Sequence, residues 1–183
     1  MKRFSIALLT SLTLSISGTA CLGADDTDQV DDVPFPDCAE DDFGSSPFAG
    51  PGFDPATGLV GAIQDSYFVS STLAVFQPEA EERFFGLSGD ILNYLGSGQH
   101  PGFIGFSVGA SDACGSARTL TVWDSEQSMF DFVTSEVHLA AMNQATSVLL
   151  LAGFSRWQVT SDNVPPTWDE ARAEVAATQP IPY

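Results

Sequence analysis

An α+β fold with the order β-α-β-β-α-β is expected for residues 67–160, on three observations. Four short stretches alternate polar and apolar residues, two longer ones carry apolar residues every three or four positions, and turn residues mark the boundaries between them. YFVSSTLAVF (67–76) alternates with β-branched enrichment and reads as the first strand. Pro78 then opens a helix to about Leu95, where Phe84, Leu87, Ile91 and Leu95 form one apolar stripe, and GSGQHPG ends it. GFIGFSVGA (102–110) and ARTLTVWD (117–124) are the second and third strands, joined by the loop SDACGS. Asp124 is the expected N-cap of a second helix, with Gln127 completing the capping pair. That helix puts Met129, Phe132, Val133, Val137, Ala140 and Ala141 on one side and runs to about Ser147 with a break near Ser135. After a Leu-rich turn, FSRWQVT (154–160) is the fourth strand. Pro165 and Pro166 stop the sheet, and Thr167 with Glu170 forms a capping box that opens a short C-terminal helix. The order is the ferredoxin-like one, two helical crossovers on one antiparallel sheet.

The 183 residues fit one such domain with appendages, here a domain at 67–162 and a C-terminal helix and tail at 163–183. Apolar residues make up 44% of the chain and include 14 Phe, enough side-chain volume for a core. The first 20 residues have the order of a secretory signal: Lys2 and Arg3, an apolar stretch from Phe4 to Ile16, then Ser17, Gly18, Thr19 and Ala20. The apolar run is short for a membrane span, which needs about 20 residues. Gly18-Thr19-Ala20-Cys21 resembles a bacterial lipobox, departing from it at Gly18 where Leu is usual, so Cys21 is the expected lipidation site and plain cleavage the alternative. Leu22 rather than Asp after the Cys favours the outer membrane by the same resemblance.

Residues 21–66 read as the anchor site and a disordered acidic spacer. Residues 24–42 hold nine carboxylates, Asp25, Asp26, Asp28, Asp31, Asp32, Asp37, Glu40, Asp41 and Asp42, with no cation among them, and self-repulsion keeps such a stretch solvated. The spacing lacks the alternating ligands, turn glycine and closing Glu of a calcium loop. Residues 44–66 continue as turns and coil around Phe48 and Phe53, fit to lie along the domain surface. The formal charge is −18, and removing Lys2 and Arg3 brings it to −20 with Arg83, Arg118, Arg156 and Arg172 as the remaining fixed cations. Nucleic acid, which needs a dense field of Lys and Arg, is not an expected partner.

If Cys21 takes lipid, Cys38 and Cys114 remain as a pair for the oxidising compartment. A disulfide between them would pin the end of the spacer to the domain and contribute about 3–5 kcal/mol by loop closure, although sequence alone does not show that they meet. No metal site is expected: there is no CxxC, and His100 and His138 are far apart.

The segment ARTLTVWDSEQSMFDFVTSEVHLAAM (117–142) resembles the strand and helix at the centre of the antibiotic biosynthesis monooxygenase superfamily. The shared features are a Trp ending a strand (Trp123), an acidic capped helix start, a mid-helix aromatic (Phe132), and Ser135 and His138 before the small residues Ala140 and Ala141. With the strand order, the resemblance spans residues 67–160. It implies a dimeric α/β barrel, in which the open sheet face pairs with a second subunit. An uncovered face of alternating Val, Leu and Phe leads to the same homodimer.

The superfamily includes cofactor-free oxygenases of quinols or aromatics and haem-degrading enzymes. At the helix positions where the haem-degrading branch carries a Trp and, ten residues on, a ligating His, this sequence has Phe132 and Met142, which argues against haem. No cofactor is expected; Phe132 and Met142 remain candidates for contact with an apolar ligand. A cofactor-free oxygenase needs an apolar pocket and a base near the substrate hydroxyl. His138 is the candidate base, Trp123 and Trp157 candidate walls, and Arg118 the candidate oxyanion partner. Each also has a plain structural reading: a helix-surface or interface imidazole, core indoles, and an arginine paired with a carboxylate. Two functions follow: a non-catalytic, membrane-tethered lipoprotein that binds a small apolar or aromatic ligand, and a cofactor-independent monooxygenase of quinols or phenols. Fold alone does not choose between them.

Overall fold

The structure, a computed structural model, describes residues 38–183; the signal segment, Cys21 and the acidic stretch through Asp37 lie outside the described residues. The long first strand β4 (Ser66–Phe76) pairs antiparallel on one side with β6 (Ser116–Trp123) and on the other with β7 (Leu149–Thr160). Strand β5 (Phe103–Ser111) flanks β6, so the four central strands lie in the order β5-β6-β4-β7, the expected ferredoxin-like sheet. Two-residue strands extend both edges: β1 (Gly44–Ser45) beside β5, and β8 (Ile181–Pro182) beside β7. A small hairpin of β2 (Phe53–Asp54) and β3 (Gly58–Leu59) stands apart from the sheet.

Helix α1 (Glu81–Gly96) follows a 3-10 turn that Pro78 opens. The second crossover is broken as its sequence indicates, into α2 (Glu126–Val133) and α3 (Glu136–Met142), with Ser135 capping the latter through the His138 amide. The cap of α2 is Ser125, not Asp124. The Asp124 carboxylate is engaged by the Ser125 and Ser128 hydroxyls at 2.9 and 2.6 Å, which leaves the Ser125 oxygen to accept from the Ser128 amide. Gln127 bonds Asp131 instead of reaching back. The Thr167–Glu170 capping box of α4 (Trp168–Ala176) is complete, with both reciprocal bonds present. The Leu-rich turn expected before the fourth strand is itself strand: Leu149 and Leu151 are buried and Leu150 exposed, the alternation of a pleated segment paired with β4.

Side-chain alternation gives the sheet two faces. One carries Phe68, Phe106 and Trp123 under α1 and α2, where Leu95, Phe103, Met129 and Phe132 complete a cluster; Phe76, Phe84, Leu87, Val148 and Leu149 form another at the far end. The other face carries Tyr67, Val69, Leu120, Val122 and Val159, all buried. The open face expected to await a second subunit is therefore closed by the chain itself, and the uncovered surface that led to a homodimer is not there. Ala171 of α4 packs on β4 and β7, and Phe48 packs on β5 and β6 with Phe53 and Leu59 beside it.

Residues 38–65 thus belong to the folded domain rather than to the spacer. Hydrogen bonds from the Ser46 amide to Val108 O (2.8 Å) and the Ala49 amide to Phe106 O (3.0 Å) lay this strap along β5. Glycine makes the approach possible: a Cβ at Gly105 would stand 2.8 Å from the Phe48 ring, and one at Gly109 would collide with the ring of Phe43. The strap also reaches α4, where Phe43 meets Trp168 edge-on with ring centroids 5.2 Å apart. Cys38 and Cys114 form a disulfide with Cα atoms 5.8 Å apart, tying the start of the strap to the β5–β6 turn.

Candidate functional site

The residues singled out from sequence fall on opposite faces of the sheet. On the face under α1 and α2, Trp123 is fully buried, its indole N–H donating to the Thr121 hydroxyl at 3.0 Å. Phe132 stacks on it at 5.2 Å between centroids, and His138 packs edge-on against Phe132 at 4.9 Å. Trp123 and Phe132 are thereby core residues; every edge an incoming ligand would touch is already in contact with protein. Met142 projects outward at the end of α3, 44% exposed. Trp157 lies half-buried on the other face against the Tyr67–Val159 cluster, so it cannot face Trp123 across a pocket. Arg118 is on that other face too, buried against Glu40.

His138 spans the break between α2 and α3, with Nδ1 3.0 Å from the Val133 carbonyl. A carbonyl only accepts, so Nδ1 carries the proton and Nε2 holds the lone pair. Burial disfavours the charged ring and holds its pKa below the ordinary histidine value, while the Val133 bond opposes the shift. The second histidine, His100, was weighed in the sequence only as a metal ligand, in a turn before Pro101. His100 is buried among Trp123, Phe132 and Tyr94, with Nε2 2.8 Å from the Ser128 carbonyl and Nδ1 3.5 Å from the Tyr94 hydroxyl. Its hydrogen bond holds the 97–102 turn to α2, a structural task.

The cavity lies on the other face. It has a volume of about 210 Å³ and sits beside the disulfide, where Glu40, Arg118, Arg172, Leu73 and Val175 line it. Arg118 reaches it from β6, Arg172 and Val175 from α4, Leu73 from β4 and Glu40 from the strap. The Glu40 carboxylate accepts from Arg118 Nε at 2.8 Å, from the Ser116 hydroxyl at 2.5 Å, and stands 3.7 Å from Arg172 Nη2. Holding it there places Glu40 in the left-handed backbone region at φ 50°, a conformation that costs a residue with a Cβ roughly 1 kcal/mol. The Arg172 guanidinium lies over the Phe43 ring at 4.1 Å, and its Nε is buried with no hydrogen-bond partner among the described residues. Burial pushes the Arg118 guanidinium below its ordinary pKa, Glu40 opposes this, and the Arg172 charge adds to the depression. The cavity therefore contains two cations and one anion.

Glu40 and Arg172 went unrecognised in sequence for a definite reason. Glu40 stands in a run of carboxylates and looks solvated, and Arg172 is one cation on a short terminal helix. The usable signal was the cysteine pair. Bridging Cys38 to Cys114 brings Glu40, two residues from one sulfur, to Arg118, four residues from the other.

No protein-family model matches the chain, and no curated protein does. Among solved structures the chain is similar over 54% of its length to a protein from Lactobacillus acidophilus provisionally named a monooxygenase, with 10% identity and a TM-score of 0.46. It spans about half of that protein, 49% of its length. It is similar over 58% of its length to a protein from Nitrosomonas europaea provisionally named an antibiotic biosynthesis monooxygenase, at 12% identity and TM-score 0.46, spanning 98% of that chain. Over 54% of its length it is similar to a protein from Shewanella oneidensis, at 7% identity and TM-score 0.47, spanning 95% of that chain. At these identities the likeness is one of fold, and neither an activity nor a site residue passes from these proteins to this chain.

Proposed function

We propose that this chain is a non-catalytic, envelope-tethered binding protein that holds a small ligand in the cavity between the strap, β6 and α4. The observation that carries the reading is the convergence of Arg118 and Arg172, two of the four arginines left after signal removal, on a half-open cavity with Leu73 and Val175 on its apolar side. Such a space, apolar with a few convergent polar groups, is the ordinary form of a ligand site. The volume of about 210 Å³ is below the roughly 300–1,000 Å³ of sites for drug-sized molecules, so the ligand is small. Thermal-shift and calorimetric titration with a panel of small charged and neutral molecules tests the reading. At least one member should bind saturably, and Ala176→Trp, which fills the cavity from an exposed rim position, should abolish that binding. Saturable binding that Ala176→Trp leaves intact would overturn it.

Tethering through Cys21 to the outer membrane belongs to the same proposal, supported by the lipobox-like Gly18-Thr19-Ala20-Cys21 and by Leu22 after it. Labelling with a palmitate analogue should be lost in Cys21→Ala, and absence of label in the wild type would end it.

A cofactor-independent monooxygenase of quinols or phenols is the second reading, favoured by one observation: His138 is held neutral with its Nε2 lone pair free of the Val133 bond. Quinone formation from a quinol panel under oxygen, lost in His138→Ala, would support it; no turnover would remove it.

A further inference from the structure

We propose that the cavity beside the Cys38–Cys114 disulfide binds a small organic monoanion, a short-chain monocarboxylate, with its carboxylate on Arg172 and Arg118 and its hydrocarbon end against Leu73 and Val175. The inference rests on the binding-protein reading above and specifies its ligand. Charge sets the first condition. Arginine stays protonated in proteins, so the two guanidiniums contribute two positive charges and Glu40 cancels one, which leaves one to be neutralised. A monoanion closes that balance. A dianion such as doubly ionised phosphate would overshoot it beside the Glu40 carboxylate, which is itself buried and hydrogen-bonded in place.

Hydrogen bonding sets the second condition. Among the described residues Arg172 Nε is a buried donor with no partner, a rare condition in a folded protein, and it belongs to a side chain that lines the cavity. A guanidinium presents its donors as a planar fork that fits a carboxylate, and with the Arg172 side chain 31% exposed its outer Nη donors can take an oxygen of the ligand. Phe43 covers one face of the same guanidinium at 4.1 Å and fixes its plane. Size sets the third. A cavity of about 210 Å³, below the roughly 300–1,000 Å³ of sites for drug-sized molecules, suits a carboxylate with a short tail.

Calorimetric titration of the full chain in its oxidised form at about pH 8, where phosphate is mostly the dianion, with butyrate, butyramide and inorganic phosphate tests the proposal. Butyrate should bind saturably, with butyramide and phosphate at least tenfold weaker. Arg172→Gln should weaken butyrate at least tenfold, and Arg172→Lys, which keeps the charge and removes Nε, should recover part of that loss. Far-UV circular dichroism establishes that each variant folds, and Ala176→Trp supplies an independent block of the site. Equal binding of butyrate and butyramide would overturn the anion assignment and leave the binding-protein reading standing. Phosphate binding as tightly as butyrate would overturn the monocarboxylate class. Binding of neither butyrate nor any neutral member of the wider panel would take down both.

Discussion

Glu40 and Arg118, 78 positions apart in the chain, meet as a buried ion pair with Oε2 and Nε 2.8 Å apart. The pair joins a segment whose composition reads as solvated spacer to the third central strand of the sheet. Removing Glu40 would leave Arg118 and Arg172 facing each other without a counterion. Loss of one partner from a fully buried pair costs about 3–5 kcal/mol, and the partial solvent access of Arg118 and Arg172 puts Glu40→Gln below that, at about 2–3 kcal/mol. Urea unfolding of the variant measures it. The same substitution raises the cavity charge from one to two, so the relative affinity for phosphate over butyrate should increase.

Reducing the disulfide should loosen the strap without melting the sheet. The Cys38–Cys114 bridge closes a loop with a sequence separation of 76, worth about 4–5 kcal/mol in the chain-entropy model. Cys38→Ser/Cys114→Ser should lose stability of that order. Hydrogen exchange should show residues 38–50 opening ahead of β4 and β6.

Trp123→Phe removes the indole bond to Thr121 and leaves a gap in the Phe132–His100 cluster, a loss of about 1–3 kcal/mol by thermal or urea unfolding. Because Trp123 lies across the sheet from the cavity, ligand affinity there should be unchanged. A change in affinity equal to that of Arg172→Gln would contradict the placement of the site.

His138 makes stability depend on pH with a definite sign. Burial lowers its folded pKa beneath the ordinary 6.5, so as the medium is acidified the unfolded chain takes up a proton that the folded one resists. Stability contributed by this group is therefore full above about pH 6.5 and declines as pH falls from there through the folded pKa. The urea midpoint should drop between pH 7.5 and 5.5, and His138→Gln should show a smaller drop than the wild type.

Much of the central fold was legible because its elements bury one side at a regular period. Tyr67, Val69, Ser71 and Leu73 alternate inward, and strand β4 was placed within one residue. The break at Ser135 and the Thr167–Glu170 box were legible from capping residues alone. The strap was not, because the five-residue spacing of Phe43, Phe48 and Phe53 matches neither the strand period of 2 nor the helix period of 3.6; Phe43 and Phe48 sit where Gly109 and Gly105 leave room, in a strand about 60 residues away. The same distance hid the arginine cavity. Its lining comes from four elements that no local window contains. Trp123 and Phe132 are buried and Trp157 is half-buried, and the sheet separates Trp123 from Trp157, which the sequence reading had set as walls of one pocket.

The disulfide also fixes where a mechanical load enters the molecule. Tension applied to the chain ahead of Cys38 passes through the sulfurs to Cys114, in the tight turn after β5, and bypasses the strap's own hydrogen bonds to Val108 and Phe106. Peeling from the amino end is thereby blocked while the bridge is intact. The segment that closes one wall of the cavity stays seated however hard its leader is pulled, until either the covalent link or the sheet itself gives way.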